Sequence, residues 1–247
     1  MMSPTIKTAL RAAALVAGAA LSLAATGKTT RPLAAPAVTN WGAQVSVTAN
    51  GSHRLGNPDA PVKLVEYVSY TCPHCAHFHK EADPALRMTL VPKGRVSVTV
   101  TNLLRNPIDL TVAMLVNCGD PKRFFTRHSA FFATQDTWLA KAGKFGEAQQ
   151  QRWYQGTLPE RMRAVASDFG FYATVAGWGV TRAQADACLA NEATVEKLRA
   201  QQEEVAQLGI DSTPSFTLDG QVLQVHDWPS VSKAITEKLA EQRSGAI

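Results

Sequence analysis

The feature that most constrains the fold is an apolar run that leads directly into two closely spaced cysteines. Residues 62–70, VKLVEYVSY, are β-branched and apolar, which is typical of a buried strand. The motif CPHC follows at residues 72–75 and opens a segment with helical character. A proline is tolerated in the first turn of a helix, because its missing N–H would have no partner there. The sequence therefore predicts a strand and then a helix, with Cys72 at the helix N-terminus.

The next part of the chain alternates between helix and strand and then becomes helical. The first helix is predicted to run to about Leu90 with an interruption at Pro84, because a proline inside a helix removes a backbone hydrogen bond. A second strand is predicted over residues 94–104, GRVSVTVTNLL. Residues 107–207 have helical spacing and include the predicted helices WLAKAGKF, LPERMRAVASDFG and EATVEKLRAQQEEVAQLG.

A hairpin and a final helix are predicted towards the C-terminus. Residues 213–225, TPSFTLDGQVLQV, place Asp219 and Gly220 between two strand-like runs, which is a strong hairpin signal. Residues 228–242 have a helical pattern. The order of elements predicts an α/β fold with one sheet. Its first half holds a parallel connection, its second half is an antiparallel hairpin, and an all-helical insertion separates the two.

The N-terminus has the pattern of a secretory signal peptide. Lys7 and Arg11 precede an uncharged apolar run that ends in small residues. The run is shorter than the roughly 20 apolar residues of a membrane span, although an uncleaved anchoring helix is the alternative. We predict a signal peptide over residues 1–25 and export to the periplasm. Residues 26–50 are rich in Thr, Ala, Pro and Asn and are predicted to form a tether with one short strand.

Charge and cysteine content exclude some classes of function. The formal net charge is +5, and it falls to +3 when Lys7 and Arg11 are removed with the signal. The sequence has no block of basic residues and no basic–aromatic interleaving, so nucleic-acid binding is not expected. Four cysteines are too few for a disulfide-built scaffold in a chain of this length. They are expected to act locally.

The spacing of the CPHC motif suits redox chemistry better than its two alternatives. Residues i and i+3 share a helical face, so the two sulfurs can meet. Cys72 would face unpaired N–H groups and the positive end of the helix dipole, which favour a thiolate. A structural zinc site needs four ligands, and the nearby His77 and His79 are expected on the exposed helix face. A structural disulfide across so short a loop removes little chain entropy. Both alternatives stay open but explain less of the pattern.

The family signal comes from two stretches, EYVSYTCPHC at residues 66–75 and STPSF at residues 212–216. Their combination resembles the thioredoxin superfamily and, within it, the DsbA family of periplasmic thiol:disulfide oxidoreductases. The resemblance extends from Pro61 to the C-terminus and implies a thioredoxin fold interrupted by an all-helical insertion. The implied parts are a thioredoxin domain at residues 51–106 and 208–247 and an insertion at residues 107–207.

The resemblance implies a role for each residue of the motif. Cys72 corresponds to the exposed cysteine that forms the mixed disulfide, and Cys75 to the buried partner that resolves it. Pro73 and His74 match the oxidising members of the family and would set the redox poise. Glu66 matches a buried carboxylate that accepts a proton from Cys75. The alternative for Glu66 is an edge-facing polar position on its strand.

The second stretch is expected to bind substrate. Pro214 resembles a cis-proline that lies opposite the redox cysteines. A cis bond before proline costs only about 0.5–1 kcal/mol, and it would leave the Thr213 backbone free to pair with an extended substrate. Thr213 differs from the valine expected in the best-known DsbA-type oxidases, a difference that bears on redox poise and choice of partner.

The insertion contains the other two cysteines. Cys118 and Cys188 lie on predicted helices, and in an oxidising compartment two buried thiols can pair. Some DsbA relatives show a second, non-catalytic disulfide of this kind. The alternative is two separate buried thiols, which behave as small apolar residues. His128 and Trp138 are expected to be part of the core or surface of the insertion.

These observations predict a periplasmic thiol:disulfide oxidoreductase without a cofactor or metal. It would donate the Cys72–Cys75 disulfide to exported unfolded or reduced proteins, act as a monomer, and be reoxidised by a membrane thiol oxidase of the DsbB kind. One alternative is a disulfide isomerase or reductase of the same fold, although no N-terminal dimerisation domain is expected before the catalytic fold. Another is a non-redox binding or chaperone module.

Overall fold

The computed structural model of the chain describes residues 39–244. The predicted signal peptide, residues 1–25, lies outside the described residues, as does most of the predicted tether. Within the described part, no helix combines the length and the apolar character needed to cross a membrane.

Six strands of the described residues form one mixed sheet. They are β1 (Val45–Val47), β2 (His53–Leu55), β3 (Val62–Val68), β4 (Val96–Asn102), β5 (Ser215–Leu218) and β6 (Gln221–Val222). Their order across the sheet is β1-β2-β4-β3-β5-β6. β3 and β4 are parallel, and the other neighbouring strands are antiparallel. This is the predicted combination of one parallel connection and one hairpin, with β3 at the centre.

The helices divide into those of the sheet domain and those of the insertion. α1 (Pro73–Ala85) connects β3 to β4. Between β4 and β5 the described chain forms α2 (Pro107–Val116), α3 (Phe124–Ala133), α4 (Gln135–Leu139), α5 (Glu147–Gln151), α6 (Leu158–Phe169), α7 (Phe171–Ala176), α8 (Arg182–Cys188) and α9 (Glu192–Gln207). α10 (Trp228–Ser244) follows the hairpin.

The hairpin and the first helix follow the local rules that predicted them. Asp219 and Gly220 both have positive φ, 50° and 83°, as the turn between β5 and β6 requires. α1 contains Pro84 and ends one residue later, where a π-helical segment, Leu86–Leu90, continues the chain. The missing N–H of the proline therefore marks the place where the α-helical pattern stops.

The segment before β3 contains one strand that was predicted and one that was not. Residues 39–50, predicted as part of a tether with one short strand, include β1, which confirms that strand and pairs in register with β2 at the sheet edge. β2 was not predicted, because it has only three residues and two of them, His53 and Arg54, are not typical of a strand. Its neighbour β4 supplies the pairing that its own sequence does not indicate, with His53 opposite Val100.

The helical insertion also differs locally from the prediction. Residues 138–145, predicted as one helix, contain only the end of α4 and a 3-10 turn, Ala142–Lys144. α7 was not predicted, because six residues are too short to show a helical period. Phe171 of α7 packs edge-on against Phe131 and Trp138, with ring centroids 5.2 and 5.3 Å apart. Tertiary packing of aromatic rings therefore decides these short elements.

Candidate active site

The two motif cysteines lie together at the N-terminus of α1. Cys72 is the N-cap residue and has an extended backbone, and Pro73 lies in the first helical turn. The carbonyl of Cys72 accepts a hydrogen bond from the Ala76 N–H at 3.3 Å. Both cysteines are free thiols, and Cys75 is fully buried. The central strand thus delivers both sulfurs to the positive end of the helix dipole.

The two thiols differ strongly in acidity. Hydrogen bonding to the Cys75 side chain is the largest cause that lowers the pKa of Cys72 to about 4, and the backbone N–H groups at the helix start add to it. Burial raises the pKa of Cys75 well above its usual value. The arrangement favours a thiolate at Cys72 and a protonated thiol at Cys75.

The loop before β5 lies against the sulfur of Cys72. The Thr213–Pro214 peptide bond is cis, and the Cys72 Sγ lies 3.1 Å from the Thr213 carbonyl oxygen. This contact corrects one expectation. The resemblance implied an exposed Cys72, whereas only 3% of the residue is exposed, because the Thr213–Pro214 segment packs against it. The neighbouring Pro73 and His74 are exposed.

Glu66 lies inside the sheet, below the cysteines. β3 has a neighbour on each side, and Glu66 is opposite Val100 on β4 and Phe216 on β5, so the edge-facing alternative does not hold. The side chain is buried, and its Oε1 has no hydrogen-bond partner among the described residues. Burial, followed by the charge of Asp83, raises the pKa of Glu66 to about 8. Near neutral pH this carboxyl group can therefore both hold and release a proton.

The two histidines after the motif have different environments. His77 is exposed, as predicted, and lies 3.4 Å from Glu81. His79 is half-buried, so its predicted place on the exposed face is wrong. One helical turn separates it from Cys75, which puts it on the covered face of α1, where its ring packs 5.1 Å from that of His128. The described residues contain no group of three or more His, Cys, Asp or Glu side chains arranged to hold a metal ion.

His128 and Trp138, whose places the sequence left open, both lie in the core of the insertion. The Nδ1 atom of His128 is hydrogen-bonded to the Tyr70 hydroxyl at 3.0 Å. Burial lowers the pKa of His128 well below its usual value. Trp138 donates its ring N–H to the Phe131 carbonyl at 3.0 Å. The helical spacing of residues 107–207 predicted helices in this region but not the contact of His128 with Tyr70.

Residues 69–72, here called the redox loop, join β3 to α1 and contact two polar residues that sequence reasoning missed. Asp109 on α2 is buried and accepts hydrogen bonds from the Ser69 hydroxyl and from the Thr71 N–H, at 2.8–3.0 Å. Gln135 on α4 is buried and donates to the carbonyls of Tyr70 and Cys72. A sequence signal existed only for Asp109, which follows a helix-starting Asn-Pro pair.

Cys118 and Cys188 form a disulfide in the structure. The S–S distance is 2.03 Å, the Cα atoms are 5.5 Å apart, and 70 positions separate the two residues in sequence. Cys118 follows α2, and Cys188 is the last residue of α8. The bond therefore joins two helices of the insertion and has no part in the redox loop.

The fold and the cysteine pair define a class, the thiol:disulfide exchange proteins with a thioredoxin fold. Residues 48–237 match a protein-family model described as Thioredoxin. This chain belongs to that family. A crystal structure of Wolbachia pipientis alpha-DsbA1, 18% identical, covers 81% of this chain and 97% of its own with a TM-score of 0.62. This likeness shows a DsbA-like fold, and the family match confirms the predicted thioredoxin superfamily.

Two further relatives have names that refer to disulfide chemistry. The crystal structure of a protein-disulfide isomerase from Novosphingobium aromaticivorans is 46% identical, has a TM-score of 0.75, and covers 78% of this chain and 99% of its own. A Rickettsia bellii protein, provisionally named a protein-disulfide oxidoreductase, is 26% identical over 192 residues, which is 77% of this chain. This chain spans 65% of the length of that relative.

Proposed function

We propose that this chain is a thiol:disulfide oxidoreductase that donates a Cys72–Cys75 disulfide to other proteins. The observation that carries the proposal is the placement of two free thiols at the N-terminus of α1, with Cys72 at the N-cap and Cys75 fully buried. A pKa of about 4 makes Cys72 a good leaving group and stabilises the reduced form. A dithiol whose reduced form is stabilised has an oxidising disulfide.

Transfer of the disulfide to a client protein takes two thiol:disulfide exchange steps. A client thiolate attacks the Cys72 sulfur, the Cys72–Cys75 bond breaks, and Cys75 leaves as a thiolate that takes a proton from the buried Glu66. A second client thiolate then attacks the client sulfur of the mixed disulfide, and Cys72 leaves as a thiolate. The client gains one disulfide bond. The enzyme takes up two electrons, which leaves Cys72 and Cys75 reduced. In reoxidation Glu66 accepts the proton of Cys75.

The Thr213 carbonyl and the cis Pro214 supply the surface for an extended client segment. The backbone before a cis-proline presents groups that can pair with another strand. Pro73 and His74 are exposed beside it and would meet the same client. In the free protein the Cys72 sulfur lies against this carbonyl, with 3.1 Å between the Sγ and the Thr213 oxygen.

Export to the periplasm belongs to the same proposal, since a disulfide donor works in an oxidising compartment. The clients would be exported, unfolded or reduced proteins, and a membrane thiol oxidase of the DsbB kind would reoxidise the enzyme, which acts as a monomer. Fractionation of cells that express the full chain checks the location. Recovery of the protein only in the cytosol would contradict it.

The first test is the reduction potential of the Cys72–Cys75 couple, measured in glutathione buffers. We expect a value near the roughly −120 mV of DsbA rather than the roughly −270 mV of thioredoxin. A value near that of thioredoxin would instead support the second candidate, an isomerase or reductase. The 46% identity to a protein named as a disulfide isomerase favours that candidate. Absence of any two-electron couple would refute both and leave a non-redox binding module.

A further inference from the structure

The redox loop contacts two helices of the insertion, α2 and α4, and successive residues of the loop contact them in turn. Ser69 and Thr71 contact Asp109 of α2. The carbonyls of Tyr70 and Cys72 contact Gln135 of α4. The insertion therefore binds every residue that links the central strand to the helix of the cysteines.

The contact of Gln135 is the one that reaches the nucleophile itself. Its Nε2 donates both of its protons, one to the Tyr70 carbonyl at 2.7 Å and one to the Cys72 carbonyl at 2.9 Å. Its Oε1 is buried and has no hydrogen-bond partner among the described residues. An apolar side chain would avoid the cost of that unpaired oxygen but would leave two buried carbonyls without this donor. The only hydrogen bonds of the Gln135 amide among the described residues are therefore those to the Tyr70 and Cys72 carbonyls.

The Cys72 carbonyl is the first carbonyl of α1, so its direction fixes the start of the helix. It also accepts the Ala76 N–H. The backbone N–H groups of His74 and Cys75, which help stabilise the Cys72 thiolate, belong to the same turn. The hydrogen bond from Gln135 to the Cys72 carbonyl fixes the position of this turn beneath the Cys72 sulfur. It also partly neutralises the negative charge on that carbonyl oxygen.

We infer that Gln135 is a positioning residue of the redox centre, through which the helical insertion sets the reactivity of Cys72. The inference rests on the proposed disulfide exchange. It assigns the insertion a chemical effect on the cysteine pair in addition to any part in covering it. Gln135 touches no reacting atom and acts only through the Tyr70 and Cys72 carbonyls.

The test compares Gln135→Met with Gln201→Met. Methionine keeps the length of the side chain and removes the amide. Gln201 is an equally buried glutamine of α9, and its Oε1 accepts the N–H and side-chain amide of Asn102 on β4. Its Nε2 donates to the Asn50 carbonyl, so none of these hydrogen bonds reaches the redox loop. The measurements are the equilibrium constant with glutathione, the pH titration of the Cys72 thiolate by ultraviolet absorbance, and thermal unfolding.

Both variants are expected to unfold at lower temperature. Only Gln135→Met is expected to raise the pKa of Cys72 and to shift the glutathione equilibrium towards the disulfide, on the order of fivefold, which is the ratio for one neutral hydrogen bond. Equal thermal losses with unchanged equilibrium and titration in both variants would overturn the inference. If Gln135→Met does not fold, Gln135→Asn keeps the amide but shortens its reach, and the same equilibrium shift is required.

The wild-type measurement separates this inference from the proposed function. A wild-type protein with no two-electron couple would refute the proposed function and, with it, the role of Gln135 that rests on it. A normal wild-type couple that Gln135→Met and Gln135→Asn both leave unchanged would refute only the role of Gln135.

Discussion

The chain carries two cysteine pairs in opposite settings. Cys72 and Cys75 lie three positions apart at the start of a helix, as free thiols with unequal acidity. Cys118 and Cys188 lie 70 positions apart and are bonded across two helices of the insertion. A short loop removes little entropy from the unfolded chain, whereas a long one removes much. The first pair is therefore built for exchange and the second for stability.

The comparison also shows where the two settings meet. The insertion that contains the second pair also supplies Asp109, His128 and Gln135, which hold the redox loop. Cys118 of the structural disulfide follows α2, and the N-terminal turn of the same helix contains Asp109. The predictions below separate the chemistry of the first pair from the stability that the second supplies.

The largest effect is expected from the redox cysteines themselves. Cys72→Ser should reduce disulfide exchange to the uncatalysed background, because the attacked sulfur is absent. Cys75→Ser should accumulate mixed disulfides between Cys72 and client proteins. Client oxidation and non-reducing electrophoresis measure the two effects. Cys118→Ala with Cys188→Ala is the matched control and should exchange normally; if it also lost exchange, the two pairs would not be functionally distinct.

The next largest effect is expected from Glu66 as pH changes. Its folded pKa, about 8, lies above the usual carboxyl value because of burial. Its contribution to stability is therefore complete below about pH 4.5 and is lost as pH rises through about 8. The Glu66→Gln variant cannot ionise at this position. At alkaline pH its free energy of unfolding should therefore exceed that of the wild type by up to about 5 kcal/mol.

Urea unfolding of both proteins at pH 5, 7 and 9 checks this prediction. The buried His53 and His128 have lowered pKa values and reduce stability below pH 6.5 in both proteins, so the difference between the two isolates Glu66. Glu66→Gln should also slow reoxidation of the pair, since Cys75 loses its proton acceptor. If the difference in unfolding free energy between the two proteins were the same at all three pH values, the raised pKa of Glu66 would be contradicted.

The second pair should matter for stability at a similar scale. Removal of the Cys118–Cys188 bond by paired substitution to Ala frees a loop of 70 positions. The chain-entropy relation gives a loss of about 4 kcal/mol in unfolding free energy. Urea unfolding measures the loss, and the reduction potential of Cys72–Cys75 should not change. A shifted potential would mean that the insertion disulfide also acts on the redox loop.

The sequence predicted the parts of the molecule that obey local rules. The strand before Cys72, the proline in the first helical turn and the Asp219–Gly220 turn each have a short-range cause, and the structure contains all three. The contacts of Gln135 and His128 with the redox loop could not be predicted in the same way, because they join residues more than 50 positions apart. β2 was missed for a related reason, since its pairing comes from β4.

The smallest effect sharpens the comparison within the insertion itself. Thr157 lies at the N-cap of α6 and pairs with Glu160, whereas Asn106 caps α2 and also donates its Nδ2 to the Thr71 hydroxyl at 2.9 Å. Loss of either cap by substitution to Ala should cost about 1 kcal/mol in unfolding free energy. Only Asn106→Ala should also move the glutathione equilibrium, because only Asn106 contacts the redox loop. If Thr157→Ala moved it equally, the insertion would act on Cys72 through its overall stability and not through its contacts with the loop.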